Sequence, residues 1–219
     1  MTQQLQDRSI RQRDLVPEEK IKSIKCTVIG VGAGGRQVAQ TLAEIGVPNL
    51  TLVDFDKVEV PNLATQGFFE NQLGQFKVDA VAEVCKMINS GIEIKTIKSK
   101  FNPLQFEGGV IFSCVDSMAA RKQIFESTKN ERDLFIDSRT AAEYARIFVV
   151  HDDESYEHYS GSLYTDEESF QAGCTTPMTI YSAKVSANLR VAQFVKWLRG
   201  CALDKEIEIN LLTNEMRAK

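Results

Sequence analysis

The residues best suited to chemistry follow one another in the first half of the chain: the turn Gly30-Val31-Gly32-Ala33-Gly34-Gly35, the acids Asp54 and Asp56, the amides Asn62 and Gln66, then Lys77 and Asp116. Gly32 lets backbone N–H groups approach a phosphate, Gly35 lets a helix sit close to a strand, and the helix start offers free N–H groups to an anion. An acid about twenty residues past such a turn, as Asp54 is, suits a ribose hydroxyl. The turn alone fits a nicotinamide or flavin dinucleotide. Hydride transfer, however, has no use for a second acid two residues on, a fixed lysine and a distal aspartate. Attack of a carboxylate on the α-phosphate of ATP uses all of them. Negative charge builds there and on the leaving pyrophosphate, and Mg2+ and cations must meet it. The pattern therefore points to ATP and Mg2+ at an adenylating site.

The elements that must hold these residues read as α/β. Residues 26–29 form a short apolar strand, residues 36–46 an amphipathic helix and residues 49–54 a second strand, so the glycines lie where a βαβ unit places a phosphate. A polar and aromatic connection covers 57–76, and helix returns over 77–89 with Val78, Val81, Val84, Cys85 and Ile88 at helical spacing. Strands are expected at 92–97, 110–115, 134–137, 144–150 and 206–212, with helices at 119–129 and 179–199. Residues 151–173 are acidic, poor in aliphatics and read as a long loop. The expected architecture is a single domain over 1–219: a Rossmann-like, mostly parallel sheet with helices on both faces, antiparallel strands toward the C-terminal part, an N-terminal arm and helix over 1–24, and a crossover loop over 151–175.

Taken together, Gly-x-Gly-x-x-Gly, Asp-Phe-Asp, Asn-Leu-x-x-Gln, Gly-Gln-x-Lys-Val and a Val-Asp-Ser after a strand resemble the ThiF/MoeB branch of the ubiquitin-activating enzyme superfamily, over about residues 8–200. The resemblance implies Mg-ATP-dependent adenylation of the C-terminal glycine of a ubiquitin-like or sulfur-carrier protein. It implies that Gly30, Gly32, Gly34 and Gly35 hold the nucleotide and Asp54 the ribose, with Asp56 and Gln66 beside them. Asn62 and Lys77 would face the phosphates, and Asp116 would hold Mg2+ near the α-phosphate. Arg11, in Arg8-x-x-Arg11-Gln12, matches an arginine that family members lend to the partner subunit's site, which implies a homodimer, or a heterodimer as the alternative. Each residue also has a plainer reading: Lys77 as a solvated helix start, Asp116 as a helix cap, Arg11 as part of a frayed tail.

The chain departs from the family in three places. The family arginine of Asn-Leu-x-Arg-Gln is Thr65 here, and threonine supplies neither charge nor a bidentate fork. Arg139, where relatives commonly carry small residues, is expected to replace it, with a salt bridge to Glu143 as the alternative. The paired Cys-x-x-Cys zinc knuckle of many bacterial members is missing, so no structural zinc is expected. Cys174, in Gly173-Cys174-Thr175-Thr176-Pro177, echoes the cysteine that takes the acyl group in family members; a small buried hydrophobe is the plainer reading. Cys26, Cys85, Cys114 and Cys201 are expected in the core, and His151 and His158 in solvent.

Composition narrows the partners. With 43% hydrophobic residues, a net charge of −4 and no long basic run, a nucleic-acid partner is disfavoured. No apolar run is long enough to span a membrane, residues 1–13 lack the apolar stretch of a secretory signal, and five scattered cysteines suit reduced thiols in a cytoplasmic protein. Three readings stand. The first is adenylation of a small protein ending in Gly-Gly. The second is a relative of the dehydratase that cyclises threonylcarbamoyl-adenosine in tRNA. The third is a non-catalytic or regulatory subunit that binds a ubiquitin-like partner.

Overall fold

The computed structural model describes residues 8–164 and 178–219. After a short helix α1 (Glu18–Ile21), strand β1 (Lys25–Ile29) leads through the glycine turn into α2 (Ala33–Glu44) and β2 (Asn49–Val53). Then come α3 (Val60–Gln66), α4 (Lys77–Ile88), β3 (Glu93–Ile97), β4 (Gly109–Ser113) and α5 (Met118–Ser127). The second half holds β5 (Arg132–Ala141), β6 (Tyr144–Val150), α6 (Asp153–Gly161), α7 (Ile180–Arg199), β7 (Glu206–Asn210) and β8 (Glu215–Ala218).

These strands form one sheet in the order β3-β2-β1-β4-β5-β6-β7-β8. The pairs from β3 through β5 are parallel, and those from β5 through β8 are antiparallel. The central strands are buried on both faces and accordingly read as unbroken apolar runs. Alternate residues face two cores. Val28, Leu52, Phe112 and Ile136 pack with α2, α4 and α7, whereas Ile29, Val53, Ile111 and Phe135 pack with Ile124 and Phe125 of α5 and Tyr159 of α6.

The topology fixes where a ligand can sit. From β1 the chain moves outward to β2 on one side; from β4 it moves to β5 on the other. This reversal puts a topological switch point beyond the carboxyl ends of β1 and β4, the place where open α/β sheets bind ligands. Ile29, Ser113 and Asp137 lie in register at those ends.

Four elements differ from the sequence expectation. The acidic stretch after β6 is not all loop: α6 is nucleated by a capping box, Asp152 Oδ1 accepting the Ser155 N–H at 2.9 Å, and it buries Tyr159 instead of an aliphatic stripe. Helix α3 lies in the expected connection, capped by Glu59 and ended by Gly67 at φ +77; it has no buried residue, so no apolar period marked it. Strand β5 runs ten residues instead of four, because its second half pairs with β6. Strand β8 is exposed throughout, and its polar sequence carries no strand signature.

Candidate nucleotide site

Three of the four turn glycines are explained by the protein's own packing. Gly30 adopts φ +84, and a Cβ there would stand 2.7 Å from the Cys114 carbonyl oxygen. A Cβ on Gly35 would lie 1.8 Å from the Gly30 carbonyl oxygen, which is sterically impossible; this is the close approach expected of that glycine. At Gly34 the Cβ position is 2.6 Å from Nη2 of Arg190. Gly32 is different. Its φ of −71° is open to any residue, and a Cβ there would meet only the Gln66 side-chain amide, at 3.4 Å. The missing side chain at Gly32 therefore leaves room outside the protein's own packing, at the N-cap of a twelve-residue helix whose first N–H groups have no intrahelical acceptor. Gln66 Oε1 above it is buried without a hydrogen-bond partner among the described residues. An open backbone seat and an orphaned acceptor fit a ligand with phosphate and hydroxyl groups.

Asp54 is bound into this turn: its Oδ2 accepts the Val31 N–H at 2.8 Å and its Oδ1 the Asp56 N–H at 2.8 Å. Each oxygen keeps a lone pair for a hydroxyl donor. Lys77 is not a solvated helix start. It is 6% exposed, with Nζ donating to Asp56 Oδ2 at 2.8 Å, and its backbone N–H donates to the Asp56 carbonyl at 2.9 Å. Two of its three ammonium protons remain available. Asn62 Oδ1 accepts the Glu59 N–H at 2.9 Å, so part of its amide caps α3 and the NH2 group remains as a donor.

Asp116 is exposed in the segment after β4 and has no hydrogen-bond or ion-pair partner among the described residues. The cap of α5 is Ser117, whose hydroxyl accepts the Ala120 N–H at 3.3 Å, so Asp116 is released from the structural job its position suggested. No group of three or more His, Cys, Asp or Glu that could hold a metal ion occurs among the described residues. Mg2+ usually takes one or two carboxylates plus substrate phosphates, and a single free Asp116 suits that pattern.

Thr65 is exposed and its hydroxyl donates back to the Pro61 carbonyl at 2.7 Å, so nothing at that position faces a phosphate with charge. Arg139 does not bridge to Glu143, whose carboxylate accepts instead from the Tyr181 hydroxyl. Arg139 donates from Nη1 and Nη2 to the carbonyl and hydroxyl of Ser162, both at 2.8 Å, and its Nε is 3.6 Å from Asp137 Oδ2. Its guanidinium lies over Phe148 and Tyr159, making it a clasp between β5 and the end of α6 rather than a free cation. Arg11 is exposed and has no partner among the described residues, with the exposed Ile10 and Leu15 nearby on the same arm. Cys174 lies outside the described residues.

Some expectations are corrected by environment. Cys201 is exposed and Cys114 only half-buried, whereas Cys26 and Cys85 are core residues. His158 is not merely solvated: its Nε2 lies 2.7 Å from Glu206 Oε2, and Arg146 donates to the other Glu206 oxygen at 2.6 Å. His151 Nε2 lies 3.3 Å from Asp152 Oδ2.

Two groups near these strand ends escaped sequence reasoning. Asp137, fully buried, accepts from Arg121 Nε at 3.2 Å and from the Tyr159 hydroxyl at 3.1 Å, tying α5 and α6 to the middle of β5. Arg190 sits on α7 among Ser186, Ala187, Val191 and Phe194, all buried. An arginine inside the apolar stripe of a helix was the signal that could have found it.

The sequence profile of the ThiF family matches residues 3–218. A molybdopterin-synthase adenylyltransferase of Haemophilus influenzae is 32% identical over 117 residues, 51% of this chain and 48% of that protein. A ubiquitin-like modifier-activating enzyme 5 of Drosophila ananassae is 31% identical over 144 residues, 58% of this chain and 36% of that protein. The aligned part thus spans about half or less of these curated relatives. Among solved structures, PaaA superposes with a TM-score of 0.78 at 18% identity, covering 100% of this chain and 84% of PaaA. MccB of E. coli, solved with AMPCPP and MccA, superposes with a TM-score of 0.77 at 17% identity, covering 98% and 71%. These structural likenesses establish the shared fold, and the profile match over nearly the whole length establishes that the chain belongs to the ThiF family.

Proposed function

We propose that this chain adenylates the C-terminal carboxylate of a small ubiquitin-like or sulfur-carrier protein ending in Gly-Gly, using Mg-ATP and releasing pyrophosphate. The observation that carries this reading is the open seat at Gly32 beneath the orphaned Gln66 acceptor, in a chain whose Lys77 ammonium is buried on Asp56 and whose Asp116 carboxylate has no partner among the described residues. In this reading the N–H groups of the Gly30–Gly35 turn and the start of α2 receive the phosphates. Asp54 takes a ribose hydroxyl and Gln66 a further donor of the nucleotide. Asn62 and Lys77 donate to phosphate oxygens, with Asp56 holding Lys77 in place. Asp116 holds Mg2+, which neutralises charge at the α-phosphate and on the departing pyrophosphate.

Arg11, exposed and without a partner among the described residues on an arm with exposed apolar neighbours, serves the site of a second subunit, a twin in the simplest assembly. The names of the curated relatives, an adenylyltransferase and a modifier-activating enzyme, support the reaction class. Cys174 receives the acyl group in a second half-reaction. A Cys174→Ser variant should then still form the acyl-adenylate but give no thiol-sensitive conjugate, and a persisting conjugate removes Cys174 from the role.

ATP–pyrophosphate exchange tests the first step. Label should enter ATP only when a small carrier ending in Gly-Gly is present, and a carrier lacking the last glycine should be inert. The third reading, a non-catalytic subunit, draws on Thr65, which leaves a charged position of the family motif without a cation. Carrier binding without any exchange would favour it, and exchange dependent on RNA would point to the dehydratase class.

A further inference from the structure

Arg190 is 1% exposed, and a guanidinium cannot shed its charge inside a protein. Its hydrogen bonds go to neutral groups: Nε donates to the Ser186 carbonyl at 3.4 Å and Nη1 to the Cys114 sulfur at 2.7 Å. No carboxylate pairs with it among the described residues. Its Nη2 occupies the space that a side chain at Gly34 would fill, which sets the cation directly behind the first turn of α2. That end of the helix is itself positive. Two positive charges therefore lie close together, and Cys114, whose sulfur accepts from Arg190, opens the segment that carries Asp116. Such an arrangement is relieved by an anion on the outer side of the turn.

We propose that Arg190 is a positioning residue for the triphosphate, its buried charge acting through the turn in place of the phosphate-facing cation that Thr65 lacks. Gly34 is then glycine to seat the guanidinium, and only Gly32 to admit the ligand. The inference rests on the reading that the turn binds ATP, and it makes Arg190 the charge compensating for Thr65, with Arg139 committed to Ser162.

The test compares ATP with adenosine by calorimetric titration of the full chain with Mg2+ present. Arg190→Gln should weaken ATP by about tenfold or more while leaving adenosine within about twofold, because only the phosphates feel the charge. Arg190→Lys should recover most of the ATP affinity. Arg190→Met removes the charge while keeping an unbranched side chain that needs no buried partner; this variant should also lose ATP affinity selectively, and it decides the matter if Arg190→Gln does not fold. ATP affinity unchanged in the folded variants, or ATP and adenosine falling together, overturns the proposal. A wild-type chain that binds adenosine and ATP equally also overturns it. A wild-type chain that binds neither removes the nucleotide reading itself, and this inference with it.

Discussion

Replacing Gly32 by alanine separates binding from folding in a way that no other turn glycine allows. A new methyl group at position 32 meets the Gln66 amide at 3.4 Å, and the φ of −71° needs no glycine. On the folded side the substitution should therefore shift stability by no more than about 1 kcal/mol, partly offset by the smaller conformational freedom of the unfolded chain. For a chain of this size that is a change in Tm of at most about 4 °C. On the binding side the methyl group stands where the phosphate must approach. Losing one charge-assisted hydrogen bond costs about 1.5–3 kcal/mol, or roughly tenfold to a hundredfold in Kd for ATP. Thermal unfolding and calorimetric titration on one sample give both numbers. Gly35→Ala is the opposite case: with the Gly30 carbonyl 1.8 Å from the new Cβ, it should cost about 3 kcal/mol or more of stability. A Gly32→Ala chain that folds and still binds ATP at wild-type affinity would refute the placement of the phosphates. One that fails to fold would show Gly32 to be structural.

Three further outcomes follow from the same geometry. Burial would push the Glu206 carboxyl up, but its bonds to Arg146 and His158 outweigh that and hold it below the ordinary carboxylate range. Glu206 therefore adds stability above its unfolded pKa of about 4.3, and this is lost as pH falls through the depressed folded value; Glu206→Gln should be destabilised at pH 7 and converge on wild type in acid, as read by Tm against pH. Burial raises the thiol of Cys85 to about 12 and that of Cys26 further still, whereas Cys201 is exposed. Peptide mapping after brief alkylation of the native chain should find Cys201 modified and Cys26 and Cys85 protected until unfolding. Finally, if Arg11 completes the site of a twin, mixing Arg11→Ala with Asp116→Asn subunits should restore exchange to about a quarter of wild type, because mixed dimers carry one intact site. No recovery would mean that each site draws Arg11 from its own chain or from a different partner.

The parallel half of the fold was legible because its strands are apolar runs followed by glycine or helix signals, and β1, β2 and β4 lie within a residue or two of their expected bounds. Helix α6 was hidden by chemistry of another kind: capping and two tyrosines do the work that aliphatic periodicity does elsewhere. Among the site residues, burial decided what sequence could not. Lys77 and Asp116 each had a bland alternative; the Asp56 contact and the Ser117 cap removed them. Arg139 looked like the missing cation because the loop ends of a parallel sheet collect ligands, yet the strand continues past that point and turns its guanidinium to Ser162. Arg190, more than fifty residues beyond Asp116 in sequence, reaches the turn only because α7 packs beside α2.

Nucleotide choice tests the central claim most directly. Titrating the chain with ATP and with NAD, each with and without Mg2+, should give saturable ATP binding that strengthens with the metal and no comparable binding of NAD. Tight binding of NAD with ATP excluded would contradict it.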